Sequence, residues 1–257
     1  VSQQGGAVRV VVQGDDFGMC HAVNEGTTLA FNEGILTQAS TMVPCPWFTE
    51  AADLARTHSI PLGIHQTLTC EWDYLRWTPL TSGASLVGDD GTTMRRTVVD
   101  AHENIAHDDA VAELTAQAER FLAHGLTIGY FDVHMGLIAG PAYETVSKAF
   151  GRPFLYPSLA TSLAFTSIKG LSDREAGTKK DWLIGWFERL QPGIHLLVCH
   201  CATPGPEIAS ITGPDSIPYR WAEEFRKSDL ETLTDPDVRA AVDKFGIELV
   251  NVAEVFA

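Results

Sequence analysis

Short apolar runs alternate with amphipathic segments along almost the whole chain, and this rhythm limits the available folds more than any other feature. Val8–Val12, with three consecutive valines ahead of Gly14, reads as a buried strand. A helix follows from about Ala22 to Asn32, stopped by Gly34. Ala39–Val43 reads as a second strand, closed by Pro44 and Pro46, and Trp47–Thr57 as a helix with Phe48, Ala51, Ala52, Leu54 and Ala55 on one side. The run LGIHQTL after Pro61 is a third strand. Asp109–His124 has the clearest helical stripe, Val111, Leu114, Ala118, Phe121 and Leu122, with Gly125 to end it. Thr127–Val133, Phe154–Tyr156, Ile194–Cys199 and Ile247–Val252 supply further strands; Ala142–Phe150, Asp181–Leu190, Arg220–Lys227 and Val238–Phe245 supply further helices.

About seven strands alternating with helices imply an α/β protein with a parallel sheet. The count favours a (β/α) barrel-like fold, distorted or incomplete, over an open doubly wound sheet. The first strand also lacks the G-x-G-x-x-G turn of a dinucleotide fold. A length of 257 residues suits one such domain, and no repeat or linker divides residues 1–257. Two stretches, 78–108 and 158–180, are too long for simple connectors and read as functional loops. The formal charge of −15, from 18 basic and 33 acidic residues, argues against nucleic acid or an anionic membrane as partner. It suits a neutral or cationic small substrate and leaves a homo-oligomer open. No apolar stretch reaches the length of a membrane span. VSQQGGAVRV has neither the basic start nor the apolar core of a signal peptide, so the expected compartment is the cytoplasm, unless the start is trimmed. Five scattered cysteines point the same way, to thiols rather than a disulfide framework.

The polar residues that end these strands carry the chemistry. Strand one ends at Asp15-Asp16, strand three at His65, strand four at Asp132 and His134, and the Ile194–Cys199 strand at His200. In a parallel barrel all these ends face one mouth, where active sites are built. Two imidazoles and one carboxylate form a common three-ligand set for a catalytic divalent metal. Adjacent side chains on an extended chain diverge, so one aspartate of the pair can be a ligand and the other a general base for water. Each residue also has a plainer reading: a helix cap or Asx turn for Asp15-Asp16, structural histidines at 65 and 134. The joint occurrence at sister strand ends is what favours a site. Cys199 and Cys201 flank His200 on the opposite face of a strand and read as packing residues rather than ligands. Trp72, Tyr74 and Trp77, just after the third strand, read either as core or as a stacking platform for a sugar ring.

GDDFG, the helix containing Asn24-Glu-Gly, LGIHQTLT, FDVH and HCATPG resemble, in order and spacing, the YdjC/ChbG-like carbohydrate deacetylases. The likeness spans nearly the whole chain. It implies a barrel-like fold and a metal-dependent hydrolase that removes N-acetyl groups from an amino sugar or oligosaccharide. On that resemblance Asp15 is the general base, and Asp16, His65 and His134 hold one divalent metal. His200 is the acid or an orienting group. Trp72, Trp77, Asp132 and Arg152 (in GRPF) are candidate substrate contacts. Zinc suits the ligand set best, with Mg, Co, Ni, Mn or Fe open. The chain departs from the family pattern at Gly136, where a second histidine is usual, and at Cys201-Ala-Thr, where a proline is usual. Rival readings are another metal-dependent barrel hydrolase, such as a phosphoesterase, and a non-catalytic sugar-binding descendant.

Overall fold

The valine run opens β1 (Val8–Phe17), which continues through both aspartates instead of stopping at Gly14. Then follow α1 (His21–Asn32), β2 (Gln38–Thr41), α2 (Phe48–His58), β3 (Leu62–Gln66), α3 (Val98–Asn104), α4 (His107–Ala123), β4 (Phe131–Val133) and α5 (Gly140–Phe150). The second half holds β5 (Ser167–Gly170), α6 (Lys179–Arg189), β6 (Gly193–Cys199), α7 (Pro206–Ala209), α8 (Glu224–Leu233), α9 (Pro236–Lys244), β7 (Ile247–Leu249) and α10 (Val252–Val255). The structure is a computed structural model and describes residues 6–136, 138–156, 159–213 and 222–256.

All strand pairings are parallel, in the order β4-β3-β2-β1-β6-β5, with β7 against the first residues of β1. Among the described residues no ladder joins β4 to β5; single bridges from Phe154 to Phe131 and to Ser162 occupy that interval. The sheet is therefore a barrel left incomplete on one side, as the strand count implies. The strand expected at Phe154–Tyr156 is reduced to those bridges. The stretch 158–180, expected as a loop, contains edge strand β5, and 78–108 contains α3. Of the helix expected at Arg220–Lys227, residues 220 and 221 lie outside the described residues, 222 and 223 form a turn, and 224–227 belong to α8.

Side chains alternate along each strand, and this period-two pattern decides what faces the barrel interior. Val10, Val12, Leu197 and Cys199 point outward into a cluster with α6, α8 and α9, where Cys201 also packs. Ala39, Leu62, Ile64, Phe131 and Val133 point outward into a second cluster with α2, α4 and α5. The alternate positions, Val11, Tyr130 and Leu196, point inward and meet Leu155 and Val252 to close the barrel floor. A Cβ at residue 63 would lie 2.2 Å from the Tyr130 ring, so only glycine lets that ring cross the floor. Continuing the inward register one step at a time leads to Gln13 and Asp15, Gln38 and Ser40, His65, Asp132 and His134, and Val198 and His200. Among the described residues, no helix is long and apolar enough to cross a membrane.

Candidate metal centre

The end of β1 breaks the strand rule. Gly14 pairs with Ala39 but Phe17 pairs with Thr41, so β1 carries one extra residue, a bulge. Asp16 sits within it at φ 66°, a left-handed conformation that aspartate tolerates better than most residues. The bulge turns Asp16 back toward the mouth, so both carboxylates line one cavity of about 630 Å³. The divergence expected of neighbouring side chains holds for a regular strand and not for this one. The two aspartates still have different partners.

Asp16 Oδ1 lies 3.3 Å from His65 Nε2 and 3.3 Å from His134 Nδ1. It is fully buried yet accepts no hydrogen bond, while Oδ2 accepts one from Arg226 at 2.7 Å. Each imidazole is held at its other nitrogen by a carboxylate: His65 Nδ1 is 3.0 Å from Asp132 Oδ2, and His134 Nε2 is 2.9 Å from Glu71 Oε2. Ionised carboxylates only accept, so those nitrogens carry protons, and each ring's other nitrogen, the one nearest Asp16 Oδ1, is the atom a metal would take once its own proton has left. Carboxylate-backed histidines of this kind are the usual surroundings of a metal. Two ligand atoms on a tetrahedral zinc lie about 3.3–3.4 Å apart, close to what is found here. The orphaned oxygen, the two backed imidazoles and this spacing fit a divalent cation. A second grouping, Asp15, His65 and Asp132, is equally compact. Its carboxylate oxygens already accept both amide protons of Gln13, at 2.8 Å and 2.7 Å, so the first grouping fits better.

Electrostatics point the same way. Burial alone would raise the Asp16 carboxyl, but Arg226 and the imidazoles outweigh it and hold it well below the usual range. Burial would lower both histidines; instead Asp15, Asp132 and Asp16 raise His65 well above its ordinary value, and Glu71 with Asp16 brings His134 to about 9. Asp15 is pushed up to about 8 by burial and by the neighbouring Asp132 charge. The carboxylates thus demand more positive charge than Arg226 supplies, and protons fill the demand when no metal does.

His200 faces the cluster from β6, with Nε2 3.9 Å from Asp15 Oδ2 and Nδ1 2.9 Å from Ser172 Oγ. Ser172 donates its proton to Asp229, which also accepts the His200 backbone N–H at 2.8 Å and pairs with Lys179 at 2.6 Å. Ser172 therefore takes the Nδ1 proton, and the proton-free ring nitrogen is Nε2, on the cavity side. Burial lowers the His200 pKa to about 3, so the ring is neutral.

Of the expected substrate contacts, Asp132 faces the cavity but commits Oδ2 to His65, Gln13 and, at 3.2 Å, Ser40. Trp72 lines the cavity at only 1% exposure, with Arg226 over its ring at 5.8 Å. Trp77 does not line it; its indole donates to Thr69 O and its ring packs edge-on against His134. Both tryptophans are buried, because the loop folds them into the core beside His134 and Arg226. Arg152 is exposed, away from the cavity. The apolar surface at the mouth comes instead from Met135, Tyr156 and Ile168, each more than one-third exposed. Sequence reading missed Arg226, Glu71, Gln13, Ser172 and Asp229. Only Glu71, six positions after the strand-end His65, carried a local signal.

A family model described as YdjC-like protein matches residues 9–244. Carbohydrate deacetylase 2 of Listeria innocua is 33% identical over 260 residues, covering 96% of this chain and 99% of the relative. A carbohydrate deacetylase of Geobacillus stearothermophilus is 30% identical over 261 residues, covering 96% and 97%. A crystal structure from Enterococcus faecalis V583, provisionally named a cellobiose-phosphate cleavage protein, superposes with a TM-score of 0.81 at 19% identity, covering 97% of this chain and 99% of that one. At that identity the likeness speaks to fold, and it agrees with the incomplete barrel. With the family match over most of its length and two relatives at or above 30% identity, this chain belongs to the YdjC-like proteins.

Proposed function

We propose that the protein is a metal-dependent deacetylase that hydrolyses the N-acetyl group of an amino sugar or oligosaccharide, acting as a single domain. The observation that carries the metal assignment is the unpartnered Asp16 Oδ1 beside two carboxylate-backed imidazoles. The names of the relatives support the substrate class. Asp16, His65 and His134 hold the cation. When bound, it supplies Lewis-acid polarisation of the acetamide carbonyl and of the attacking water, zinc being the best match to the donors.

The chain's own groups do the rest. Asp15 stands beside the ligands without being one, and a nearby cation favours its ionised form, which takes the proton of the attacking water. The same carboxyl then returns the proton to the departing amine. His200, neutral and with its ring proton on Nδ1, is suited to orient the substrate rather than to serve as the resting acid. The cavity of about 630 Å³ is large enough for a sugar ring with its acetyl group, and Tyr156 with Met135 and Ile168 offers apolar surface to the ring's C–H face. The test is acetate release from N-acetylglucosamine oligomers by metal-loaded and chelated protein, with phosphate esters in parallel. Metal-dependent acetate release supports the reading; phosphate release alone, or no turnover with metal bound, contradicts it.

A further inference from the structure

Two glutamines lie in the barrel floor among apolar side chains, and neither is exposed at all. A floor that needed only volume would take leucine or methionine there, since a buried amide is costly unless fully hydrogen-bonded. Gln13 and Gln38 are direct cross-strand partners on β1 and β2. Their hydrogen bonds form one chain whose direction is forced at its first step. The backbone N–H of Val252 can only donate, so the Gln38 atom 2.8 Å from it is Oε1. Gln38 therefore turns Nε2 to Gln13, at 2.8 Å, and the atom it meets is Oε1. Gln13 is left with its amide protons aimed at Asp15 Oδ1 (2.8 Å) and Asp132 Oδ2 (2.7 Å).

We propose that Gln13 is a positioning residue that clamps Asp15 to Asp132, its amide oriented through Gln38 by the N–H of Val252 in the C-terminal segment. The inference rests on the reading of Asp15 as the base. The clamp has a consequence for catalysis: Asp132 also holds His65, so the base and one metal ligand are tied to the same amide. Reversed, the amide would present Oε1 to two carboxylates and push both away. Misplacement of a catalytic group by about 1 Å costs up to about 10²-fold in rate.

The test uses the full-length, metal-loaded protein. Gln13→Met keeps volume and burial and removes the donor. It should lower kcat about 10- to 100-fold, with KM within about twofold and metal content retained. Val252→Pro removes the N–H at the first position of α10, where proline is accommodated. The preceding Asn251 is already extended at φ −105° and ψ 169°. Val252→Ala shortens the same side chain and keeps the N–H. The proline variant should lower kcat about threefold or more below the alanine variant, a modest share of what full misplacement costs. It should also shift the Gln13 side-chain amide resonances, assigned by their absence in Gln13→Met. Wild-type kcat in Gln13→Met overturns the clamp. Equal kcat and unmoved amide resonances in the two Val252 variants overturn the link to the C-terminal segment. Asp15→Asn separates the two levels: if it is fully active, the base assignment falls and takes the clamp with it. If it is inactive while Gln13→Met is normal, the clamp alone falls.

Discussion

Divalent metal should bind more tightly as the pH rises, and the site's own charges set the size of the effect. His134 must be neutral to offer Nδ1, yet Glu71 and Asp16 raise it to about 9 when no metal is bound. At pH 7 that proton must leave on binding, which weakens apparent affinity about a hundredfold relative to the fully deprotonated site. His65 is also raised, so it adds in the same direction. The sign follows from the shift: a raised imidazole keeps its proton below its folded pKa, so competition is greatest at low pH and fades as pH passes through about 9. Zinc affinity measured against a competing chelator from neutral to alkaline pH should climb and then level. Calorimetry in two buffers of different ionisation enthalpy should count at least one proton released near neutrality. Glu71→Gln removes the charge that lies 2.9 Å from His134 Nε2, so one step of the climb should shift toward the ordinary histidine value. Metal affinity independent of pH, with no proton released, would refute the reasoning.

Other variants probe separate parts of the account. Asp15→Asn should keep the metal and lose at least about 10²-fold in acetate release; loss of metal instead would mean the two aspartates have been exchanged. Lys179→Met strands Asp229, both side chains being fully buried, and should cost about 3–5 kcal/mol and lower Tm by about 10 °C. That deficit should shrink as pH falls, because a protonated Asp229 needs no counter-charge; an unchanged Tm would show that the pair contributes little. Tyr156→Ala should raise KM with little change in kcat if the sugar rests on that ring, and an unaffected KM would remove it from the binding surface.

What was legible in the sequence was local. Valines before Asp15-Asp16, and Ile64 before His65, announce a strand and the residue at its end within a few positions, and a parallel barrel gathers such ends at one mouth. The supporting residues come from far along the chain. Arg226 is 210 positions from Asp16, and Asp132 is 119 from Gln13, and nothing near Arg226 marks it as different from a surface arginine. Strand β5, SIKG, was hidden because an edge strand with two exposed residues carries no apolar run. Trp72 and Trp77 were ambiguous for the opposite reason: a cluster of aromatics beside a site fits a platform and a core equally well by composition. Only the fold shows them buried behind His134 and Arg226. The bulge that lets both aspartates face the cavity depends on the β2 register, which one strand's sequence does not contain.

The central claim is that Asp16, His65 and His134 form the metal site. Anomalous diffraction from crystals grown with zinc tests it most directly. The account predicts one ion about 2.0–2.2 Å from Asp16 Oδ1, His65 Nε2 and His134 Nδ1, with Asp132 and Glu71 still on the far ring nitrogens. An ion bound instead between Asp15 and Asp132, or none in the cavity at saturating zinc, would contradict it.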